Sequence, residues 1–371
     1  MRFVASADWQ IGMTAHFLEA EARPRFAQAR LDAVRALGRV AAERDAAFVL
    51  VCGDVFESNQ LDRQVVARAF DALADVPVPV WLLPGNHDPL DAASIYRSPE
   101  FLAGCPEHVH VLDAPGVHVV ADGVEVVAAP WSSKRPSSDL VADALDGLEP
   151  PAPGVVRVVA GHGSVVGFDR TNPSTISEPG LTAALDAGLA HVVVLGDRHS
   201  TTRVTDRVWY PGAPEVTSRL EDDPGNVLVV DVEPDGALAV EPVRVGAWRF
   251  VAHDARLDSL ADLDDLERWL RAQPAKERTA VWLSLTGTLS VGQKARLDDL
   301  LDDVGSLYAL LDLWQRHTDL AVLPADGDMD ELGLTGFARE TVDELVARAD
   351  DDPAARDALS LLYRLASAGA R

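Results

Sequence analysis

Short runs of Val, Leu, Ile and Ala alternate with amphipathic stretches through the first 245 residues. Ten of them, at residues 2–7, 48–52, 78–83, 108–112, 117–120, 124–130, 155–161, 191–195, 226–232 and 238–245, are bounded by Gly, Pro or Asp and predict strands. Leu31, Val34, Leu37 and Ala41 recur at helical spacing, as do Val66, Ala69, Phe70 and Leu73, with Asp62 placed to cap the second helix. The later strands have no long helical stretch between them. This predicts an α/β protein with a mixed, partly antiparallel sheet and not a wholly parallel doubly wound fold. After Gly246 the pattern changes to helix 260–272, strand 279–285, helix 291–301 and strand 308–314, a second and smaller α/β unit. The Gly- and Asp-rich stretch 324–333 reads as a linker. Val342, Leu345, Val346 and Ala349 then form one apolar stripe, and Ala355, Ala358, Leu359, Leu362 and Leu365 form another, opened by Asp352-Pro353. The expected division is therefore 1–245, 246–325 and 326–371.

Composition narrows the class. Of the 371 residues 47% are apolar and 25% charged, which excludes disorder of the whole chain. No run approaches the ~18–20 apolar residues of a membrane span, and the N-terminal sequence MRFVASADWQ has neither the basic nor the apolar region of a signal peptide. The expectation is a soluble cytoplasmic protein with no membrane partner. Cys52 and Cys105 are too few for a disulfide framework or a thiolate cage. With 33 Lys+Arg against 59 Asp+Glu the net charge is −26, which argues against a generic basic surface that coats DNA.

Five apolar runs end on polar residues able to bind metals. These are Ala7-Asp8-Trp9-Gln10; Cys52-Gly53-Asp54-Val55-Phe56-Glu57; Pro84-Gly85-Asn86-His87-Asp88; Gly161-His162; and Gly196-Asp197-Arg198-His199. In four of the five a Gly stands immediately before the polar residue, where it lets the strand turn sharply and leaves room for a ligand. A buried sheet that delivers carboxylates, amides and imidazoles to one rim is how a polynuclear metal site is built. A single Asp at a strand end is an ordinary turn former, but the ordered series of Asn-His, Gly-His and Asp-x-His is not. Trp9 and Tyr96, close to these motifs, fit core positions better than base-stacking ones, and Asp88 fits a turn before Pro89. Arg198 stands between a phosphate contact and an ordinary pair with a carboxylate.

The order and content of these motifs resemble the calcineurin-type metallophosphoesterases, and within them the SbcD-type bacterial exonuclease subunits that act in double-strand-break repair. That family runs D-x-H, G-D-x-x-D/H, G-N-H-D/E, G-H and G-H-x-H, and Tyr210-Pro-Gly-Ala-Pro-Glu215 is similar to its P-G-S-P-E loop. The resemblance implies a two-sheet αββα sandwich with a smaller α/β capping domain and C-terminal helices. It also implies two divalent metal ions bridged by Asp54, with Asp8, position 10 and His199 on one and Asn86, His162 and position 197 on the other. His87 would face the scissile phosphate as the group that protonates the leaving oxygen, with Glu57 orienting its ring. Position 10 is Gln10 and position 197 is Asp197, where the family has His. The site thereby loses two imidazoles and gains a carboxylate, which points to oxygen-preferring ions, Mn²⁺ first, with Mg²⁺, Fe or Zn²⁺ as alternatives. The partners implied are DNA and an SbcC-like coiled-coil ATPase, and a homodimer is compatible with the pattern. Two other readings stay open: a phosphodiesterase for cyclic nucleotides or other small phosphoesters, and a scaffold subunit that binds the ATPase without cleaving DNA.

Overall fold

The computed structural model describes residues 1–165, 175–323 and 336–348, together with 352, 354, 355, 358, 359, 361 and 362. The chain divides into two compact units, Met1–Trp248 and Arg249–Arg371. The first half of unit one runs β1 (Arg2–Ser6), α1 (Ala22–Glu43), β2 (Val49–Cys52), α2 (Arg63–Ala74), β3 (Val80–Leu83), α3 (Pro99–Gly104), β4 (Val109–Val111), β5 (Gly116–Ala121) and β6 (Val124–Ala128). It continues with α4 (Leu140–Leu145), β7 (Val156–His162), α5 (Glu178–Asp186), β8 (Val192–Gly196), β9 (Thr202–Thr205), β10 (Val208–Tyr210), β11 (Asn226–Val232) and β12 (Leu238–Arg244).

These strands form two six-stranded sheets, ordered β12-β11-β1-β2-β3-β4 and β5-β6-β7-β8-β10-β9. Both are mixed, as the pattern predicts. β1 to β4 are parallel while β11 and β12 are antiparallel, and β6, β7, β8 and β10 are parallel between antiparallel β5 and β9. The period of two sorts the side chains. Val4, Val49, Val51, Val80 and Leu82 face α1, α2 and α3, packing on Leu31, Val34, Leu37, Val66, Phe70 and Phe101. Phe3, Ala5, Phe48, Leu50 and Cys52 face the other way, onto Val126, Val158, Ala160, Val192 and Val194 of the second sheet. The outer face of that sheet, with Val127, Val159, Val193 and Leu195, is covered by α4 and α5 through Val141, Ala144, Leu181 and Leu185. The result is an αββα sandwich. Burial on both faces explains why the central strands read as unbroken apolar runs. At about 1.5–3 kcal/mol for each fully buried Val, Leu or Phe, the strand ends that carry the motifs leave the best-anchored part of the unit.

Unit two is a parallel βαβ arrangement on its own core. β13 (Arg249–Leu257), α6 (Leu260–Ala272), β14 (Thr279–Ser290), α7 (Val291–Gly305), β15 (Leu310–Leu313) and β16 (Asp319–Leu323) follow in order. Both helices open with capping boxes, Ser259 with Asp262 and Ser290 with Gln293. Their Leu263, Leu266, Leu270, Leu297 and Leu300 cover Val281, Leu283 and Leu285 of the sheet. β15 and β16 lie one after the other along β14, which is longer than the sequence pattern suggests. β13 is a further addition to the expected series: its Arg, His and Asp residues hide the strand period. The helix α8 (Phe337–Arg348) buries Val342. The expected linker at 324–333 lies outside the described residues, as do Ala349 and Leu365 of the terminal stripes. Among the described residues no helix is long and apolar enough to cross a membrane.

Candidate metal centre

The five motif segments follow the carboxyl ends of β1, β2, β3, β7 and β8. The first two are zipped together by main-chain bonds: Asp8 N donates to Gly53 O at 3.0 Å, Gln10 N to Asp54 O at 2.9 Å and Ile11 N to Val55 O at 2.9 Å. Their backbones are unusual. Among the described residues six non-glycine positions have positive φ, and four of them are motif residues: Asp8 (54°), Gln10 (45°), Asp54 (54°) and Asp197 (92°). Each such conformation costs about 1–3 kcal/mol and persists where the surrounding structure enforces it, as at binding sites. All four motif glycines are required by close approach, Gly53, Gly85 and Gly196 against groups of the site itself. A Cβ on Gly85 would sit 2.2 Å from Asp54 Oδ1, and one on Gly196 would sit 1.9 Å from the main-chain oxygen of Cys52.

These loops bring all seven candidate ligands together. One ligand atom from each of Asp8, Asp54 and His162, all buried, lies within 4.8 Å of the others. On one side His162 Nε2 stands 2.7 Å from Asn86 Oδ1, 3.5 Å from Asp54 Oδ2 and 3.9 Å from Asp197 Oδ1. On the other, His199 Nε2 stands 3.9 Å from Asp8 Oδ1 and 3.2 Å from Gln10 Nε2. The Gln10 amide can offer its N–H to an unprotonated Nε2 or turn over to offer its oxygen. Asp8 is further held by the main-chain N–H of Asp197, at 3.0 and 3.2 Å from its two oxygens. Both histidines are fixed from behind. His162 Nδ1 donates to Cys52 O at 2.9 Å, and the N–H at His199 Nδ1 is shared between Thr217 Oγ1 at 2.6 Å and Glu221 Oε1 at 3.1 Å. In each case the tautomer leaves Nε2 as the atom aimed at the cluster.

The donor set fits divalent cations. Three carboxylates, two imidazoles and two carboxamides form an oxygen-rich shell of the kind that holds hard or borderline ions. The amide oxygen of Asn86, 2.7 Å from His162 Nε2, accepts from that nitrogen when it is protonated and is free for a cation when it is not; turned over, the amide would donate to the Asp54 oxygens at 3.1 and 3.3 Å. The electrostatics of the buried groups point the same way. Burial pushes the Asp8 carboxyl up to about 6, against the pull of His199 and His162. Burial opposes charge on His199 too, but the Glu221 bond and the charge of Asp8 outweigh it and raise the ring to about 9. His162 is likewise raised well above the usual range: burial resists, and Asp54 wins. Asp54 is correspondingly lowered in spite of its burial, chiefly by His162. Without metal, imidazolium protons neutralise these carboxylates.

His87 lies at the open side, with 37% of its side chain exposed and Nε2 4.0 Å from Asp54 Oδ2. Its main-chain N–H donates to Asp54 Oδ1 at 2.9 Å and its Nδ1 donates to the main-chain oxygen of Glu57 at 2.9 Å. Glu57 thus holds the ring through its carbonyl, while its carboxylate stays 3.8 Å away. Asp88 is a buried brace, accepting from Gly85 N at 2.7 Å, Phe56 N at 3.0 Å and Tyr96 Oη at 2.6 Å. Tyr96 is core in consequence, and Trp9 is core with its indole N–H on Ser6 Oγ at 2.8 Å. Arg198 Nε donates to Thr202 Oγ1 at 2.7 Å.

Several contributors have no signal in the motif pattern. Thr217 and Glu221 back His199, just beyond the Pro-Gly-Ala-Pro-Glu215 loop, and extending attention past that loop is the one cue that leads to them. Arg30, buried on α1, donates to the carbonyl oxygens of Trp9 at 3.0 Å and Val216 at 3.1 Å and so ties together the loops of Gln10 and Thr217. Trp131 Nε1 holds the His162 carbonyl at 2.7 Å.

Among solved structures the chain is similar to a dimetal phosphatase from Danio rerio, at 13% identity over 66% of this chain and 96% of that one, with a TM-score of 0.42. A Thermus thermophilus protein matches at 12% identity over 66% and 99%, TM-score 0.37, and a purple acid phosphatase from yellow lupin seeds at 12% over 66% and 51%, TM-score 0.37. No curated protein matches the chain. The profile of the calcineurin-like phosphoesterases, by contrast, matches residues 1–230, which is well over half of the sequence and includes every candidate ligand, and the chain belongs to that family of metal-dependent phosphoesterases.

Proposed function

We propose that the protein hydrolyses phosphodiester bonds in DNA, with Mn²⁺ as its metal, as the cytoplasmic nuclease subunit of an SbcCD-like repair complex. The observation that carries the hydrolytic part is the placement of His87 at the open side of a seven-ligand cluster, its ring held by Glu57 O and its main chain by Asp54. Bound divalent cations supply charge neutralisation at the phosphoryl oxygens and activation of the attacking water. The residues of the chain do the rest. Asp8, Asp54 and Asp197 fix the charge of the site, Gln10 and Asn86 complete it with neutral donors, and the buried sheets exclude solvent from its floor. His87 acts as the imidazolium: its Nδ1–H stays on Glu57 O while Nε2–H passes its proton to the leaving oxygen, which leaves the neutral Nδ1–H ring.

The DNA part rests on motif order, on the Tyr210-Pro-Gly-Ala-Pro-Glu215 loop and on the smaller α/β unit, which we take over residues 246–325 as the capping domain that the resemblance implies. Nonspecific DNA affinity comes from neutralised phosphates, and a net charge of −26 leaves most of that grip to the ATPase partner. The test is one panel with Mn²⁺: single- and double-stranded DNA, a cyclic nucleotide and a generic aryl phosphodiester, wild type beside His87→Ala. The expected result is DNA cleavage that His87→Ala lowers by about 10²–10⁴. Turnover of the cyclic nucleotide alone would replace DNA by a small substrate. No turnover of anything would leave the scaffold reading.

A further inference from the structure

The two histidines of the centre are held differently. His162 Nδ1 donates to a neutral main-chain oxygen, that of Cys52, at 2.9 Å. His199 Nδ1 meets a carboxylate, Glu221 Oε1, at 3.1 Å beside Thr217 Oγ1. Glu221 is built in for this contact. Its side chain is 6% exposed, its Oε2 accepts from Thr217 N at 2.9 Å, and the Thr217 hydroxyl donates to Oε1. Among the described residues its one ion pair is with His199.

A carboxylate is costly to bury, and beyond His199 the charge set against it is the field of the buried Arg30. Folding alone does not require it: His162 shows that a neutral oxygen satisfies an imidazole N–H in this same centre. What a carboxylate adds is electron density, since a histidine whose N–H is held by an anion is a stronger donor through its other nitrogen. The placement matters. His199 shares its side of the centre with Gln10, a neutral and weak donor where the resembled motif has an imidazole.

We propose that Glu221 is a positioning residue that fixes His199 as a strengthened ligand and so compensates for Gln10, making the metal position nearest Gln10 and His199 depend on the charge of Glu221. The proposal concerns metal binding and holds whichever phosphoester is cleaved, so it stands or falls apart from the DNA reading. The test is calorimetric titration of the metal-free full chain with Mn²⁺, comparing wild type, Glu221→Gln and Glu221→Gln with Gln10→His. Glu221→Gln keeps the shape and an acceptor but removes the charge. At about pH 9.5, where the proton that Glu221 also holds on His199 no longer competes with the metal, the variant is expected to weaken one of two Mn²⁺ binding steps by about 10- to 100-fold while leaving the other unchanged, and Gln10→His is expected to restore most of the loss. If Glu221→Gln does not fold, Glu221→Asp, which keeps the charge but withdraws it from the 3.1 Å contact with His199, should weaken the same step. Unchanged binding in Glu221→Gln, or equal weakening of both steps, would overturn the proposal and leave Glu221 as a brace for its loop.

Discussion

At pH 7 and without a cation, His162 and His199 carry protons on the nitrogens that a metal needs. His199 is raised to about 9 and His162 well above its usual 6.5, so loading both metal positions has to expel about two protons at neutral pH. Each proton displaced adds about 1.4 kcal/mol of binding per pH unit, so the product of the two Mn²⁺ association constants should rise by up to about 100-fold between pH 7 and 8. Below about 6 the buried Asp8 takes up a third proton and the dependence steepens. The assay is calorimetry at fixed pH in buffers of different ionisation enthalpy, where the slope of apparent heat against buffer enthalpy counts protons released. A count near two at pH 7, falling towards one or none above pH 9, is the expected result. A count near zero at pH 7 would refute the reasoning, because it would mean that both rings already stand neutral and the carboxylates around them do not hold the charge inferred here.

Three further outcomes follow from the same geometry. Metal-free protein should lose stability as pH rises: Asp8 and His199, each with a folded value above its unfolded one, stabilise the fold below about 4 and 6.5 and lose that contribution as pH passes about 6 and about 9. The loss is about 3 kcal/mol for each group, that of Asp8 between about pH 4 and 6 and that of His199 between about 6.5 and 9, so thermal melts at pH 4, 6 and 9 separate the two, and Mn²⁺ should restore the difference at pH 9. Gly85→Ala forces a methyl into Asp54 Oδ1 at 2.2 Å and Asp54 N at 2.5 Å, and should destabilise by about 1–3 kcal/mol while abolishing tight Mn²⁺ binding; wild-type affinity in that variant would contradict the close packing. Tyr96→Phe removes one of three bonds to the buried Asp88 carboxylate and should lower unfolding free energy by about 1–3 kcal/mol in denaturant titration, with the metal ligands untouched.

The central strands were legible because parallel strands covered on both faces become apolar runs, and a polar residue after such a run stands out at the rim. Asp8, Asp54, Asn86, His162 and Asp197 are visible for that reason. Short or half-exposed elements were not legible. α3 and α4 have six residues each, too few for a helical period to show, β9 is four residues long with Arg203 exposed, and β13 exposes Asp254 and Arg256 on alternate positions. At the site, the chemistry was visible but the support was not. Positive φ at Gln10 has no signature in a residue type that rarely adopts it. Thr217, Glu221 and Arg30 act through folded loops and not through spacing, and the main-chain oxygens of Cys52 and Glu57, which fix His162 and His87, carry no side-chain identity that a sequence could reveal.

Anomalous scattering at the manganese edge, from crystals grown with Mn²⁺, tests the dinuclear centre most directly. Two peaks are expected, one among Asp8, Gln10, Asp54 and His199 and one among Asp54, Asn86, His162 and Asp197, sharing the Asp54 carboxylate. Absence of any peak within the cluster, or Mn²⁺ bound only elsewhere on the protein, would contradict it.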